Sequence, residues 1–160
     1  MQKAEMYMLG RQDRAILREL QQDSRLTMQE LAEKVGMSSS ACWRRIRTLE
    51  ADGIIDRFAV IVNPRKAGFT LSSMTLVSLA RHEQKNVDNF VKAVQQHPEI
   101  LECFATSGEA DYHLRVVVED MEAYNRFLDD FILKLPGVLQ VRSNIILKEI
   151  KLDTALPFGS

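Results

Sequence analysis

Three serines and three arginines stand close together in the first third of the chain: Ser38, Ser39 and Ser40, then Arg44, Arg45 and Arg47. A guanidinium can bridge two acceptors on the major-groove edge of guanine or hold a phosphate, and hydroxyls at a helix start add donors for phosphate oxygens. A second cluster is Ser107-Gly108-Glu109-Ala110-Asp111. Its glycine lets backbone amides approach a carboxylate, and Glu109 or Asp111 can pair with an ammonium group, a minimal clamp for a free amino acid. The same residues also read as a tight turn with Asp111 as its capping group. The remaining reactive side chains do not assemble. His82, His97 and His113 have no ligand spacing, and Cys42 and Cys103 sit in unrelated contexts without a CxxC or an evident base. There is no phosphate-cradling glycine loop and no nucleophile elbow. The chain is expected to bind rather than catalyse, without a metal or a cofactor.

The elements that must position the serines and arginines are short helices. Ile16, Leu17 and Leu20 form an apolar stripe within residues 11–22, stopped by Asp23-Ser24. Thr27 opens Thr-Met-Gln-Glu, a capping box in which Glu30 reaches back, and Gly36 suits the left-handed residue that ends a helix. Ser38 then caps a third helix over residues 39–51. Two helices joined so tightly cross sharply, which is helix-turn-helix geometry. At roughly 100° per residue, Cys42, Ile46 and Leu49 form the buried face of the third helix, while Ser40, Arg44, Arg47 and Ala51 lie opposite, with no carboxylate before Glu50. Arg45 flanks the buried face and suits either an anchor to a carboxylate or phosphate, or a base. Trp43 flanks the other side and is read as packing ahead of the alternative, a base contact.

Beyond this lies a twofold pattern. Residues 54–62 read as a strand, residues 63–69 as a linker, and residues 74–79 as the next strand. Val87, Phe90, Val91 and Val94 mark a helix closed before Pro98, followed by a strand over residues 100–106 on which Cys103 is read as buried. Residues 111–118 alternate as a strand, residues 121–135 carry a helical spacing stopped by Pro136-Gly137, and residues 138–150 form a last strand. The β-α-β-β-α-β order implies a ferredoxin-like sandwich. Two helices cover only one sheet face, so the other calls for a second copy of the chain. The boundaries expected are residues 1–62 for a DNA-binding domain, 63–69 for a linker and 70–160 for the sensor and oligomerisation domain.

Composition agrees with a globular chain of 160 residues, 46% apolar and 27% charged, with a net charge of −1. The charge is +3 over residues 1–66 and −4 over residues 67–160, a basic front and an acidic back. No window approaches a membrane span or a secretory signal, so the expected compartment is the cytoplasm, with both cysteines reduced.

Several runs carry a specific resemblance: Asp13-Arg14-Ala15-Ile16-Leu17, Leu31-Ala32-Glu33-Lys34-Val35-Gly36-Met37-Ser38, residues 42–55 from Cys42-Trp43-Arg44-Arg45, and, later, residues 107–112, 120–124 and 135–138. Together they resemble the Lrp/AsnC family of feast/famine regulators over nearly the whole chain. The resemblance implies an α+β protein, with a winged-type helix-turn-helix domain before a ferredoxin-like βαββαβ sensor domain. It implies binding to double-stranded DNA, a homodimer assembling to a tetramer or octamer, and a small effector, usually an amino acid. It places the effector beside residues 107–111, at contacts between dimers, with Met121, Asn144 and Ile145 influencing the response and Asp111 tied to it. Asn144 and Ala110 depart from the leucine-responsive branch, which carries aromatic residues there, so the effector's identity stays open. The rival expectation is an architectural protein that organises DNA without an effector.

Overall fold

The computed structural model describes residues 8–80 and 84–158. The chain divides into two compact units, one holding the chain up to Val60 together with the stretch from Lys151 onward, the other spanning Ile61–Ile150.

The first unit is built on α1 (Arg11–Gln22), α2 (Met28–Val35) and α3 (Ser39–Ala51). Each helix begins and ends where its local chemistry directs. Glu30 Oε2 accepts the Thr27 amide at 2.8 Å while the Thr27 hydroxyl accepts the Glu30 amide at 3.2 Å, completing the capping box on α2. Gly36 takes the left-handed conformation, φ 66°, and terminates α2. The Ser38 hydroxyl accepts the Ala41 amide at 3.2 Å and starts α3 two residues later. Ile16, Leu17, Leu20, Leu31, Ala32, Cys42, Ile46 and Leu49 form one buried cluster, so the apolar stripes predicted for α1 and α3 do meet.

Two expectations for this half are corrected. Residues 54–62 pair with no strand among the described residues, leaving Val60 and Ile61 exposed: β-branched residues favour an extended chain, but a ladder also requires a partner. The stretch from Lys151, expected with the second domain, packs with the first unit. Gln21 donates to the Leu156 carbonyl at 3.1 Å and accepts the Leu156 amide at 2.7 Å, while Phe158 lies against the helical core.

The second unit runs β1 (Leu71–Leu79), α4 (Gln84–Gln96), β2 (Ile100–Ala105), β3 (Tyr112–Val118), α5 (Met121–Asp130) and β4 (Val138–Ile145), with short 3-10 turns at Arg65–Ala67 and Ile132–Lys134. The sheet order is β2-β3-β1-β4 and every pairing is antiparallel, the ferredoxin-like arrangement. Burial alternates residue by residue along β1. Its inward residues, with Leu114, Val116 and Val118, meet Phe90 and Val94 of α4 and Tyr124 and Phe127 of α5 in a single core. α5 is shorter than expected, giving way after Asp130 to the 3-10 turn, and β4 ends at Ile145 rather than at residue 150. The glycine of Pro136-Gly137 has a steric reason. A Cβ on Gly137, whose φ is 84°, would lie 2.7 Å from the Asn86 Cβ. No helix among the described residues is long and apolar enough to cross a membrane.

Candidate functional site

The outward face of α3 is assembled by helical phase. Cys42, Ile46 and Leu49 are buried, which turns Ser40, Arg44 and Arg47 outward, and all three are exposed together with Ser38 and Ser39. Ser38 and Ser40 hydroxyls lie 3.2 Å apart at the helix start, beside backbone amides that point out of the first turn. The Arg44 guanidinium makes no hydrogen bond or ion pair with another side chain among the described residues, and Arg47 approaches Glu50 only at 3.7 Å. Two exposed guanidinium groups and a serine-rich helix N-terminus thus occupy one surface, a chemistry suited to phosphate oxygens and guanine edges.

Arg45 has a different environment. Its Nε donates to Asp13 Oδ1 at 2.8 Å and its Nη2 to Asp13 Oδ2, a bidentate pair joining α3 to α1. Asp13 is 2% exposed, and Oδ2 also accepts the Gly10 amide at 3.1 Å, closing the first turn of α1. Of the readings open for Arg45, the structure supplies the carboxylate anchor and turns its guanidinium inward, away from the group formed by Arg44 and Arg47. Trp43, read as packing, is instead 59% exposed. Burial pushes the Cys42 thiol above its ordinary value, leaving an inert core residue. Cys103, read as buried, is exposed because β2 is an edge strand.

The second cluster surrounds the turn between β2 and β3. Thr106 donates its amide to the Asp111 carbonyl at 2.9 Å and its hydroxyl to the Ala110 carbonyl at 2.7 Å, closing the loop on itself. Asp111 Oδ2 accepts the Leu79 amide at 2.8 Å, and the Asp111 amide donates to the Val77 carbonyl at 3.1 Å. The carboxylate expected to hold an ammonium group therefore ties the loop to the end of β1. Glu109 is the acid that faces solvent, and its Oε2 accepts Arg142 Nη1 at 2.9 Å. This pair borders a shallow depression floored by Leu76 and Ser78 of β1 and flanked by Ala110 and Gln140. Ser107 and Gly108 are exposed on the same loop.

Met121 opens α5, and Asn144 and Ile145 close β4. Ile145 pairs with Ser73 and Asn144 with Met74, whereas the loop meets β1 at Val77 and Leu79. Four residues of strand separate Ser73 from Val77, roughly 13 Å at ~3.3 Å per residue. Within one chain Asn144 and Ile145 stand apart from the loop group, which Arg142 and Gln140 join. Their inclusion was not legible in the sequence, since the β1–β4 register that sets Leu76 opposite Arg142 and Ser78 opposite Gln140 is a tertiary fact.

The histidines do not gather. His97 packs against Phe131, with ring centroids 3.9 Å apart, and against Phe127, His113 lies on β3, and His82 falls outside the described residues. Among the described residues no group of three His, Cys, Asp or Glu side chains could hold a metal ion.

A family described as the Lrp/AsnC ligand binding domain matches residues 72–156, and a winged helix-turn-helix DNA-binding family matches residues 9–56. The chain is similar to the DNA-binding transcriptional activator DecR of Escherichia coli K12, 37% identical over 150 residues covering 94% of this chain and 99% of DecR. It is also similar to the leucine-responsive regulatory protein of the same strain, 38% identical over 148 residues covering 92% of this chain and 90% of that one. Among solved structures, the transcriptional regulator NMB0573 of Neisseria meningitidis, crystallised as an L-Met complex, superimposes with a TM-score of 0.89 at 39% identity, covering 94% of this chain and 97% of the other.

Proposed function

Because the chain belongs to the Lrp/AsnC family, whose members are transcriptional regulators and not enzymes, we propose that it binds double-stranded DNA through α3 and takes a free amino acid as its effector. The observation that carries the DNA half is the outward face of α3, free of carboxylates before Glu50, with Arg44 and Arg47 exposed beside a serine-capped helix start. A twofold dimer would place two such helices about 34 Å apart, in successive major grooves. The sheet favours assembly as well. Both helices lie on one face, leaving Met74 and Leu76 of β1 and Phe104 of β2 on the face they do not cover. Dimers pairing there can build tetramers or octamers.

The effector half rests on the Glu109–Arg142 pair. Opposite charges 2.9 Å apart beside an apolar residue complement the carboxylate and ammonium of an amino acid, which would enter by exchanging one ion pair for two. The N. meningitidis regulator's L-methionine complex supports this ligand class. Asp111 holds the loop from below, and Ser107 and Gly108 supply backbone at its rim. Ile145, roughly 13 Å along β1 from the loop, its neighbour Asn144 and Met121 at the start of α5 would reach the same ligand from a neighbouring chain, which ties effector response to assembly.

Titration of a DNA duplex against salt tests the first half: Arg44→Ala lowers the log–log slope by about one unit, with the oligomer unchanged in light scattering. An unaltered slope removes the assignment. A thermal-shift series over the twenty amino acids, with L-methionine first, tests the second, since a ligand of the folded state raises the midpoint as RT ln(1 + [L]/Kd). No shift with any of them, with DNA binding intact, favours an architectural protein without an effector.

A further inference from the structure

The only tryptophan of the chain stands on α3, and it is 59% exposed. One turn further on, the Arg47 Cζ lies 5.9 Å from the centroid of its ring, within cation–π reach. Arg47 is thus steered by an aromatic platform on one side and by Glu50 at 3.7 Å on the other. At roughly 100° per residue, Trp43, Arg47, Ser40 and Arg44 follow one another around the helix within an arc of about 100°. The indole is therefore the apolar edge of the cationic face, not a stray surface ring.

We propose that Trp43 is a specificity-determining residue of that face: its indole packs against a thymine methyl in the major groove, and its ring positions Arg47 for a neighbouring guanine. The proposal rests on the reading of α3 as the DNA-contacting helix. A neutral indole cannot neutralise a phosphate, so its attractions in the groove are to base edges, chiefly the thymine methyl, with the ring N–H as one further donor. Its neighbours decide the partner. Two copies of this face set against each other would oppose Arg44 and Arg47 to their like, whereas a polyanion meets them with opposite charge.

Because Trp43 is the sole tryptophan of the chain, its tryptophan emission, excited beyond the tyrosine band, reports this position and no other. The probes are a duplex selected from random-sequence DNA by the wild-type protein and a scrambled duplex of equal composition. The selected duplex is expected to shield the emission from acrylamide. Trp43→Ala is expected to lower the preference for selected over scrambled DNA by about tenfold or more while leaving the salt slope unchanged, and Trp43→Phe, which keeps a ring, to lose less. An unchanged thermal midpoint certifies that both variants fold. If Arg44→Ala loses binding while Trp43 stays open to acrylamide in the complex and Trp43→Ala keeps the preference, α3 reads DNA without Trp43 and the proposal is overturned. If neither Arg44→Ala nor Arg47→Ala affects binding, the assignment of α3 as the reader fails first and takes the proposal with it. Shielding that grows with protein concentration in the absence of DNA overturns the proposal in favour of a second copy.

Discussion

On α3 and on the loop between β2 and β3 the same division of labour recurs: one charged residue turns inward to build the site, and its neighbours turn outward. On α3, Arg45 is held by buried Asp13 while Arg44 and Arg47 extend from the surface. In the loop, Asp111 is held by the Leu79 amide while Glu109 meets Arg142 in solvent. The difference lies in reach. Every outward residue of α3 sits on one continuous helix, so its geometry is set locally, whereas the loop's surroundings are drawn from two further strands brought into register by the fold. Adjacent charges of similar type can thus do opposite work, and which one is structural is decided by what lies behind it.

Substitutions can break this division. The largest effect is expected from Asp13→Ala, which strands the Arg45 guanidinium and uncaps the Gly10 amide together. Losing one partner of a fully buried pair costs about 3–5 kcal/mol. The Arg45 side chain is 36% exposed, which lowers the expected cost, and urea denaturation should show a loss of about 2–3 kcal/mol. A loss within error would mean that Arg45 is an outward residue after all. Asp111→Ala comes next, removing a charge-assisted bond to the end of β1 at a cost of about 1.5–2 kcal/mol. It should lower the denaturation midpoint even without ligand, and a stable variant that only loses ligand response would restore Asp111 to the clamp.

A smaller loss, about 1 kcal/mol, is expected from Tyr124→Phe. Its hydroxyl lies 2.7 Å from the Thr75 hydroxyl and 2.7 Å from the Ser143 hydroxyl, with Ser73 2.9 Å beyond Thr75, a chain linking α5 to β1 and β4 inside an otherwise apolar core. The same denaturation series would detect it, and no loss would mean that the three remaining hydroxyls satisfy one another. Glu109→Gln should leave stability unchanged, since an ion pair in solvent contributes little. Amino-acid binding should nonetheless weaken in the thermal-shift series, and equal binding would dissolve the outward half of the loop site.

The first unit was the more legible of the two. The capping box of α2, the Ser38 cap of α3, the left-handed glycine and 3.6-residue periodicity act within a few residues of one another, so the limits of α2 and α3 and the burial of Cys42, Ile46 and Leu49 follow from neighbours in sequence. Trp43 was misjudged because a residue on the flank of a buried face is equally placed for core or solvent, and only the packing of α1 and α2 chooses. Residues 54–62 carry the right composition for a strand, but composition cannot supply the second strand. For the sheet, the β-α-β-β-α-β order was legible and the edge position of β2, which leaves Cys103 exposed, was not.

Local chemistry in the sequence therefore determined the three helices of the first unit, the order of the elements in the second and the cationic face of α3, because caps, periodicity and turn residues act over a few positions. Only the tertiary structure decided that Arg45 belongs to Asp13, 32 residues away in the chain, that Asp111 belongs to Leu79, and that Arg142 stands beside Glu109. Those pairings depend on which helices cross and which strands share a register, and both are set by burying the apolar faces of the two units, not by any signal within the segments that meet.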